Sequence, residues 1–346
     1  MDHSLIFVLA VVVVALVFDF INGFHDSANS IATVVATRVL SPGVAVLFAA
    51  ACNFIAAFVV GTAVAGTIAK GLIDPSAVTP SLICAALIGA IVWNLVTWWL
   101  GLPSSSSHAL LGGYAGAAIT KAGFGAIIVS GWIKPIAGIV VSPLLGMALG
   151  LLLSVGLSWL LWKQPARRMA NRFRRLQLVS AGLYSISHGS NDAQKTMGII
   201  VGLLVAARGL FATRTDALHG LYVANADRIP LWIVMTCYTA IAAGTALGGW
   251  RIVKTMGTRI TKLQPFGGFC AETGGAITIL FASYLGVPVS TTHTITGAIA
   301  GVGASRRLQA VRWGVAARIV WAWFLTIPAA GLIAAVAELV MKNMAR

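Results

Sequence analysis

Charged side chains are scarce in this sequence. Only 10% of its 346 residues are charged and only 9 are acidic, whereas 58% are hydrophobic. That balance lies outside the composition of soluble globular domains. Apolar stretches of about 20 residues, the length of a membrane-crossing helix, recur along the whole chain. The sequence therefore predicts a multi-pass membrane protein, and it argues against a signal peptide on a secreted domain.

Sequence motifs for metal binding, disulfide bonding and hydrolysis are lacking. The sequence contains no GxSxG or HExxH motif of a hydrolase. Its four cysteines are far apart, lie in apolar stretches and form no CxxC pair, so packing is their expected role. We therefore expect neither an enzyme nor a cofactor. The cysteines are Cys52, Cys84, Cys237 and Cys270.

The net charge of +15 comes from basic residues that lie between the apolar stretches. Because cytoplasmic loops of membrane proteins collect Lys and Arg, these clusters predict which loops face the cytoplasm. Their expected neighbour is anionic lipid, and nucleic-acid binding is not expected. The clusters are Lys163, Arg167, Arg168, Arg172, Arg174 and Arg175; Arg251, Lys254, Arg259 and Lys262; and Arg306, Arg307 and Arg312.

The lengths of the apolar stretches predict eight membrane-spanning segments and two shorter segments within the membrane. The shorter segments, residues 103–120 and 288–304, contain a Pro at their start and are rich in Gly, Ser and Thr. This composition predicts re-entrant or broken helices that are buried in protein or line a wet cavity. Polar clusters at residues 22–30 and 188–196 lie in the middle of the first and fifth spans. The eight spans are expected near residues 4–37, 44–66, 81–100, 126–162, 177–206, 231–250, 264–286 and 311–337.

The same sequence pattern occurs twice. GLPSSSSHALLGGYAG at residues 101–116 aligns with GVPVSTTHTITGAIAG at residues 286–301, with Gly, Pro, Ser and His at matching positions. A second motif precedes each copy in the same order, and two motifs repeated in one order indicate an internal duplication. In this second motif the aligned pairs are Gly23 with Gly189, Asp26 with Asp192, and Ser30 with Thr196.

The basic clusters predict how the two copies are oriented. If segment 163–176 and loops 251–263 and 305–312 all face the cytoplasm, the second half begins inside and the first half begins outside. We therefore predict an all-α polytopic membrane protein with two inverted-topology repeats, broken and re-entrant helices and about ten membrane passes, an architecture typical of secondary transporters. The expected divisions are a first transmembrane repeat (1–162), a basic cytoplasmic linker (163–176) and a second, inverted transmembrane repeat (177–346).

Ionisable residues within the predicted spans indicate a site for a coupling cation. An intramembrane charge costs about 2.5 to 3.5 kcal/mol on insertion scales. An Asp carboxylate with amide and hydroxyl oxygens suits a small cation, or a proton on the carboxylate. The alternative is that these polar residues only form hydrogen bonds with one another between neighbouring helices. Two Asp residues at matching positions of the repeat favour a functional site instead. The candidates are Asn22, Asp26, Asn29, Ser30, Asn191, Asp192, Gln194, Lys195, Thr196 and Glu272, with Asp26, Asn29, Asn191 and Asp192 as a candidate sodium site.

Three residues near these motifs have weaker support as cation ligands. Glu272 has no acidic counterpart in the first half, and for it a buried hydrogen bond to a hydroxyl is an equal alternative. His25 and His188 lie beside the Asp motifs, but they do not align with each other and are weaker candidates than the aspartates.

The hydroxyl-rich segments indicate an anion site. Each follows a Pro, where a helix begins, so hydroxyls and free backbone N–H groups converge at the positive end of the helix dipole. A single Ser/Thr segment after a Pro is ordinarily a helix cap. Two such segments, each followed by a His at the matching position, favour an oxyanion site formed by uncharged hydrogen-bond donors. The matched histidines are also candidates for capping or for carrying a proton. The candidates are Ser104, Ser105, Ser106, Ser107, His108, Ser290, Thr291, Thr292 and His293.

Four segments of the chain resemble the inorganic phosphate transporter (PiT) family, in its bacterial low-affinity branch. They are GFHDSANSIATVVATRVLSP, WNLVTWWLGLPSSSSHALLGG, SHGSNDAQKTMGI and GVPVSTTHTITGAIAGVG, in order between residues 19 and 305. The resemblance implies a secondary active transporter in the bacterial inner (plasma) membrane. It would import inorganic phosphate by symport with a proton or a sodium ion, through alternating access of the repeats. For bacterial members, the resemblance also implies phosphate carried as a neutral metal complex.

Carried onto this chain, the family's Asp motifs fall on Asp26 and Asp192, and its Ser/Thr motifs on residues 105–107 and 290–292. Two features depart from the family pattern. The segment between the halves is short where many relatives carry a large cytoplasmic domain. Asn53 stands where some eukaryotic relatives have an acidic residue, so H+ and Na+ are both candidate coupling ions.

The expected partners are inorganic phosphate, a coupling cation and the lipid bilayer, with a homodimer as a candidate assembly. A carrier of another tetrahedral oxyanion, such as sulfate, is the nearest alternative function, and a channel is the second. An intramembrane hydrolase is the third, but four adjacent hydroxyls with no single placed nucleophile argue against it.

Overall fold

The computed structural model of the chain describes residues 3–344, and regular secondary structure in that range is helical apart from one isolated bridge between Ile73 and Ile127. Short 3₁₀ turns and one π-helical turn, Thr255–Arg259, lie between some of the helices. The α-helices are α1 (His3–Ala36), α2 (Pro42–Val59), α3 (Ala63–Gly71), α4 (Pro80–Trp99), α5 (Ser106–Ala122), α6 (Val129–Leu160), α7 (Ala166–Ala206), α8 (Leu231–Leu247), α9 (Trp250–Lys254), α10 (Pro265–Tyr284), α11 (Thr291–Arg306) and α12 (Trp313–Met344).

Six of these helices are long and apolar enough to cross a bilayer: α1, α2, α4, α6, α10 and α12. A seventh span results if α8 and the segment Trp250–Arg259 count together, although the two are bent by 62°. The predicted all-α membrane fold is therefore confirmed. The total of ten passes and the inversion of the two halves stay predictions.

The polar clusters of α1 and α7 leave both helices unbroken. α1 runs for 34 residues and α7 for 41, although polar residues lie in the middle of each. A helix satisfies its own backbone groups, so only the polar side chains need partners, and neighbouring helices supply many of them. α7 also begins at Ala166, so most of the predicted linker 163–176 belongs to its first turns.

The span predicted over residues 44–66 ends earlier than expected. α2 ends at Val59, and the short helix α3 follows as a separate element. The backbone N–H groups of Val64 and Ala65 donate to Oε1 of Gln194 at 2.9 and 3.4 Å. Gln194, on α7, therefore caps the start of α3, a contact between segments far apart in the sequence.

Two breaks of the same geometry separate α4 from α5 and α10 from α11. Each first helix ends at a glycine in the left-handed region, Gly101 with φ +65° and Gly286 with φ +66°. The next residue closes the helix end: Leu102 N–H donates to the Thr97 carbonyl at 2.9 Å, and Val287 N–H makes the matching bond at 2.8 Å. This is a glycine-terminated C-cap, so the repeated sequence pattern produces a repeated chain reversal.

Two glycine seams, defined by Gly116 on α5 and Gly301 on α11, hold these short helices against long ones. A Cβ added at Gly116 would lie 2.1 Å from the carbonyl oxygen of Gly331 on α12, and one at Gly301 would lie 2.1 Å from that of Met147 on α6. Only glycine lets the backbones approach so closely. Because the two seam glycines align in the repeated pattern, the two short helices are packed in the same manner.

Gly116→Ala should destabilise the protein by about 1 to 3 kcal/mol, because the added methyl group overpacks against a backbone carbonyl. Gly156→Ala is the matched control: Gly156 lies within α6, and an added Cβ there has nothing within 4 Å. That change should be neutral or stabilising by up to about 1 kcal/mol. Thermal unfolding of both variants in one detergent compares them, and equal melting temperatures would contradict the seam.

Candidate functional site

The site forms where the middles of α1 and α7 meet the N-termini of α5 and α11. Ser106 Oγ donates to Asp26 Oδ1 at 3.3 Å, and Thr291 Oγ1 donates to Asp192 Oδ2 at 3.2 Å. The two aspartates align in the repeated motifs, and so do the two hydroxyl residues. The site therefore contains the same contact twice, once in each half of the sequence.

A second pair of matching contacts crosses between the halves. Asn29 Nδ2, on α1, donates to Thr292 Oγ1 of α11 at 2.9 Å. Lys195 Nζ, on α7, donates to Ser107 Oγ of α5 and to the backbone oxygen of Val289 at 2.8 Å. Each helix N-terminus is thus held by an aspartate of its own half and by an amide or ammonium group of the other half.

The two aspartates differ in how their charge is compensated. Asp192 forms an ion pair with Lys195 and lies 3.4 Å from Nε2 of His188. Asp26 instead contacts Nδ1 of His25 at 2.6 Å, and no Lys or Arg among residues 3–344 pairs with it. A buried carboxylate without a Lys or Arg partner is costly, so Asp26 has a greater need of a positive ion than Asp192.

Three ligand groups converge between the long helices. A carboxylate oxygen of Asp26, a carboxylate oxygen of Asp192 and a ring nitrogen of His188 all lie within 4.8 Å of one another. Carboxylate and imidazole groups at this separation suit a small cation. The structure therefore brings together the two aspartates of the predicted sodium site and adds His188, a weaker candidate from the sequence.

The site is closed to solvent. Every side chain in the contacts above is at most 6% exposed. Because water cannot solvate these charges, each of them depends on protein partners or on a bound ion. The conformation is therefore an occluded one.

The remaining hydroxyl residues of the predicted anion site contact helix ends. The Oγ atoms of Ser105 and Ser290 accept hydrogen bonds from the backbone N–H groups of His108 and His293, at 3.3 and 3.2 Å. They are the N-caps of α5 and α11 and orient the free N–H groups there. Ser104 donates to a threonine of α4 at 2.9 Å. Direct phosphate contacts from these three serines stay predictions.

The two matched histidines contact each other. The ring centroids of His108 and His293 are 4.3 Å apart in a T-shaped arrangement, and His293 also stacks on Trp323 at 3.6 Å. In the described part of the chain neither ring bonds to a hydroxyl of the site. The rings therefore join α5, α11 and α12, and their role in phosphate binding or proton transfer stays a prediction.

Three of the predicted cation ligands have partners outside the central contacts. Asn191 Oδ1 accepts a hydrogen bond from the backbone N–H of Val289 at 3.2 Å and so stabilises the segment between α10 and α11. Glu272 accepts from Gln177 at 3.0 Å, in a separate cluster closer to the start of α7. Gln194 caps α3. Cation binding by these residues stays a prediction.

Three further predicted cation ligands, Asn22, Ser30 and Thr196, are buried. Asn22 and Thr196 form side-chain hydrogen bonds with Asp19, whereas Asn22 Oδ1 and Ser30 Oγ have no hydrogen-bond partner among the residues described. Buried polar atoms in native proteins nearly always have a partner. Cation binding by these three residues stays a prediction.

Sequence reasoning missed two buried side chains near the site. Asp19 is fully buried and precedes Asn22 and Asp26 by three and seven residues, a spacing that places all three on one face of α1 and that would have revealed it. The hydroxyl of Tyr184 donates to the backbone oxygen of Thr291 at 3.0 Å and supports the start of α11. No signal in the sequence around Tyr184 indicates this contact.

Comparison with known proteins identifies the group of proteins to which the chain is related. The sequence profile described as "Phosphate transporter family" (PHO4) matches residues 22–334. The chain belongs to this family. It is 56% identical over 337 residues to a "Probable low-affinity inorganic phosphate transporter" of Rhizobium meliloti (strain 1021), covering 97% of each chain. It is 44% identical over 344 residues to a protein of the same name from Bacillus subtilis (strain 168), covering 99% of each.

A solved structure has the same fold. The structure named "The sodium-dependent phosphate transporter" matches with a TM-score of 0.83 at 25% identity, over 97% of this chain and 99% of that one. The resemblance inferred from the motifs is confirmed. The chain is a multi-pass protein of the bacterial plasma membrane and a transporter rather than an enzyme.

Asn29→Leu should lower phosphate uptake by about tenfold or more, because it removes the donor that fixes the Thr292 hydroxyl and leaves a buried polar group without its partner. Asn171→Leu, the same change on an exposed turn of α7, should leave uptake within about twofold of the unmodified protein. Uptake of labelled phosphate into proteoliposomes with matched protein content measures both. Similar uptake in the two variants would argue against the crossing contact.

Proposed function

We propose that the chain imports inorganic phosphate by symport with a cation, through alternating access of two inverted repeats. The observation that carries this proposal is the doubled contact: two hydroxyl-bearing helix N-termini, each beside a buried aspartate, in one closed site. Helix N-termini bind phosphate-like anions through free N–H groups and a favourable dipole. Membership of the phosphate transporter family supports the choice of substrate.

Cation binding would prepare the anion site. The hydroxyls of Ser106 and Thr291 donate to the two aspartates in this conformation. Bare carboxylates repel an anion strongly in a low-dielectric interior, so phosphate cannot bind beside them. A cation on the carboxylates removes this repulsion and frees the hydroxyl hydrogens to turn toward phosphate oxygens. The cation therefore binds first, and its departure on the other side releases the phosphate.

Lys195 acts as a tethered positive charge in this scheme. An ammonium group has three donors and no free electron pair, so it cannot be a metal ligand. It contacts Asp192 and the N-terminus of α5, at the position aligned with Asn29 in the first half. The second aspartate is thus already compensated, and the mobile cation binds at Asp26.

The proposed cation is a proton or a sodium ion, and the matched structure's name, "The sodium-dependent phosphate transporter", supports sodium. The convergence of Asp26, His188 and Asp192 also supports a divalent ion that would travel with phosphate as a neutral complex. A requirement for divalent ions separates this cargo from free phosphate. No contact in the site favours sulfate over phosphate.

Alternating access is supported by the two matching breaks. α4–α5 and α10–α11 reverse the chain in the same way and present equivalent hydroxyls to one site. If the halves are inverted, the two breaks approach the site from opposite faces of the membrane, and rocking of the halves exposes it to each side in turn. The repeat boundaries at residues 163–176 and a homodimer are further parts of this proposal.

Labelled phosphate uptake into proteoliposomes under separately imposed sodium and proton gradients tests the proposal. We expect concentrative uptake under one of the gradients and none when both are collapsed. Flux that survives collapse of both would indicate a channel. Unlabelled sulfate in large excess should leave uptake unchanged, because inhibition equal to that by phosphate would indicate a general oxyanion carrier.

Asp26→Asn should reduce gradient-driven uptake by about a hundredfold, because the variant loses the charge that binds the mobile cation. Asp216→Asn makes the same change on an exposed loop and should retain the activity of the unmodified protein. The same proteoliposomes measure both variants. Normal coupled uptake by Asp26→Asn would refute the assigned role of this carboxylate.

Lys195→Asn should raise the number of cations carried per phosphate by one, because Asp192 then needs a mobile ion in place of its tethered ammonium. Lys195→Arg keeps the positive charge and should keep the original ratio. Simultaneous measurement of cation and phosphate flux gives the ratio for each variant. An unchanged ratio in a transporting Lys195→Asn protein would contradict the tethered-charge role.

A further inference from the structure

Two short helices outside the central site, α3 and α9, make matching contacts with the two breaks. α3 is the third α-helix of the chain, and α9 is the third α-helix counted from α7. Thr67 Oγ1 of α3 donates to the backbone oxygen of Gly286 at 2.7 Å, and Thr255 Oγ1, directly after α9, donates to that of Gly101 at 3.0 Å. The two glycines align in the repeated pattern and end the helices before the breaks. Each short helix therefore holds one break.

The start of each short helix is bonded to a long helix beside a site aspartate. Gly249, the N-cap of α9, donates its backbone N–H to Oγ of Ser27, the residue after Asp26. The N–H groups at the start of α3 donate to Oε1 of Gln194, two residues after Asp192. The first turn of a helix has free N–H groups, so one polar side chain of α1 or α7 is enough to hold it.

Each short helix thus completes a ring of contacts that includes one aspartate and one site hydroxyl. α9 joins α1, beside Asp26, to the break that presents Ser106, and Ser106 donates to Asp26. α3 joins α7, beside Asp192, to the break that presents Thr291, and Thr291 donates to Asp192. The position of each break relative to its aspartate is therefore set at two points, the hydroxyl and the short helix.

The backbones of the short helices also pack on the two break glycines. A Cβ added at Gly286 would lie 3.2 Å from the carbonyl oxygen of Ala63, and one at Gly101 would lie 3.5 Å from that of Arg251. Arg251 Nη1 in addition donates to the backbone oxygen of Trp99 at 2.7 Å, at the end of α4, where a basic group is favourable. α9 therefore holds the end of α4 by two side chains.

We propose that Thr67 and Thr255 are positioning residues, through which α3 and α9 act as struts between each site aspartate and the break that carries its hydroxyl partner. The inference rests on the proposed function, because it gives the struts the task of linking the cation site to the anion site. A movement of α1 at Asp26 is passed through α9 to the break before Ser106. The carboxylate and the hydroxyl therefore move together.

Thr67→Val removes the hydrogen bond to Gly286 and keeps the shape of the side chain. Amide hydrogen exchange of the purified protein should be about fivefold faster in segment 286–291, because the break loses one of its bonds, and unchanged in segment 101–106. Thr255→Val combined with Arg251→Gln should give the reverse pattern. Thr258→Val is the matched control, since Thr258 Oγ1 donates to a carbonyl of its own turn, and should change neither segment. Equal acceleration of both breaks, or of neither, would overturn the struts.

Phosphate binding tests whether a strut acts through the site hydroxyl. In buffer that contains sodium and magnesium, Thr67→Val should weaken the binding of labelled phosphate to the purified protein about fivefold. This loss should vanish when Thr291→Val is also present and persist when Ser106→Ala is present, because changes at separate contacts add whereas changes along one linkage do not. Thr67→Ser restores the hydroxyl and should recover most of the affinity.

The same fivefold loss in all three backgrounds would indicate a general structural effect and would overturn the positioning role. Failure of the unmodified protein to bind phosphate would overturn the proposed function alone, because the exchange measurement needs neither ion nor substrate and decides the struts by itself.

Discussion

A charge buried away from water must be matched inside the protein, and this requirement organises the centre of the molecule. Asp26 and Asp192 lie deep between helices with at most 2% exposure. Each is met by a hydroxyl at the start of a short helix, and one of them is also met by an ammonium group. Without these partners, neither carboxylate would be tolerated at this depth in a charged form.

The same requirement explains why the four helices around the site differ in form. α1 and α7 can stay continuous because their polar residues contribute side chains only. α5 and α11 must begin inside the molecule, because only a helix end offers free N–H groups. Beginning a helix there exposes backbone groups that must also be satisfied. The glycine reversals at Gly101 and Gly286 and the caps at Ser105 and Ser290 serve that purpose.

Much of the site was predictable from the sequence because the duplication doubles the signal. A single Asp or a single Ser run has ordinary explanations, whereas Asp26 with Asp192 and Ser106 with Thr291 repeat at matched positions. The structure brings these four residues together. Composition and apolar length were enough for the all-helical membrane fold, since bilayer thickness sets the length of a span.

The remaining features depend on contacts between distant segments. No local pattern shows that Asn29 reaches α11 or that Gln194 caps α3, because each involves residues more than a hundred positions apart. The sequence did not predict that α7 is one continuous helix, because its many polar and basic residues obscure the periodic apolar pattern of a helix. The aromatic contact between His108 and His293 likewise arises from packing, which spacing along the chain does not encode.

The glycine seams also bear on how easily the protein changes shape. Helices that interlock through large side chains resist lengthwise sliding, because each ridge must be lifted out of a groove. At Gly116 and Gly301 the contact is between backbones, and such a smooth surface offers few obstacles to a shift of α5 along α12 or of α11 along α6. Under the proposed alternating access, the ease of switching between the two sides of the membrane depends on these two surfaces, which lie outside the site.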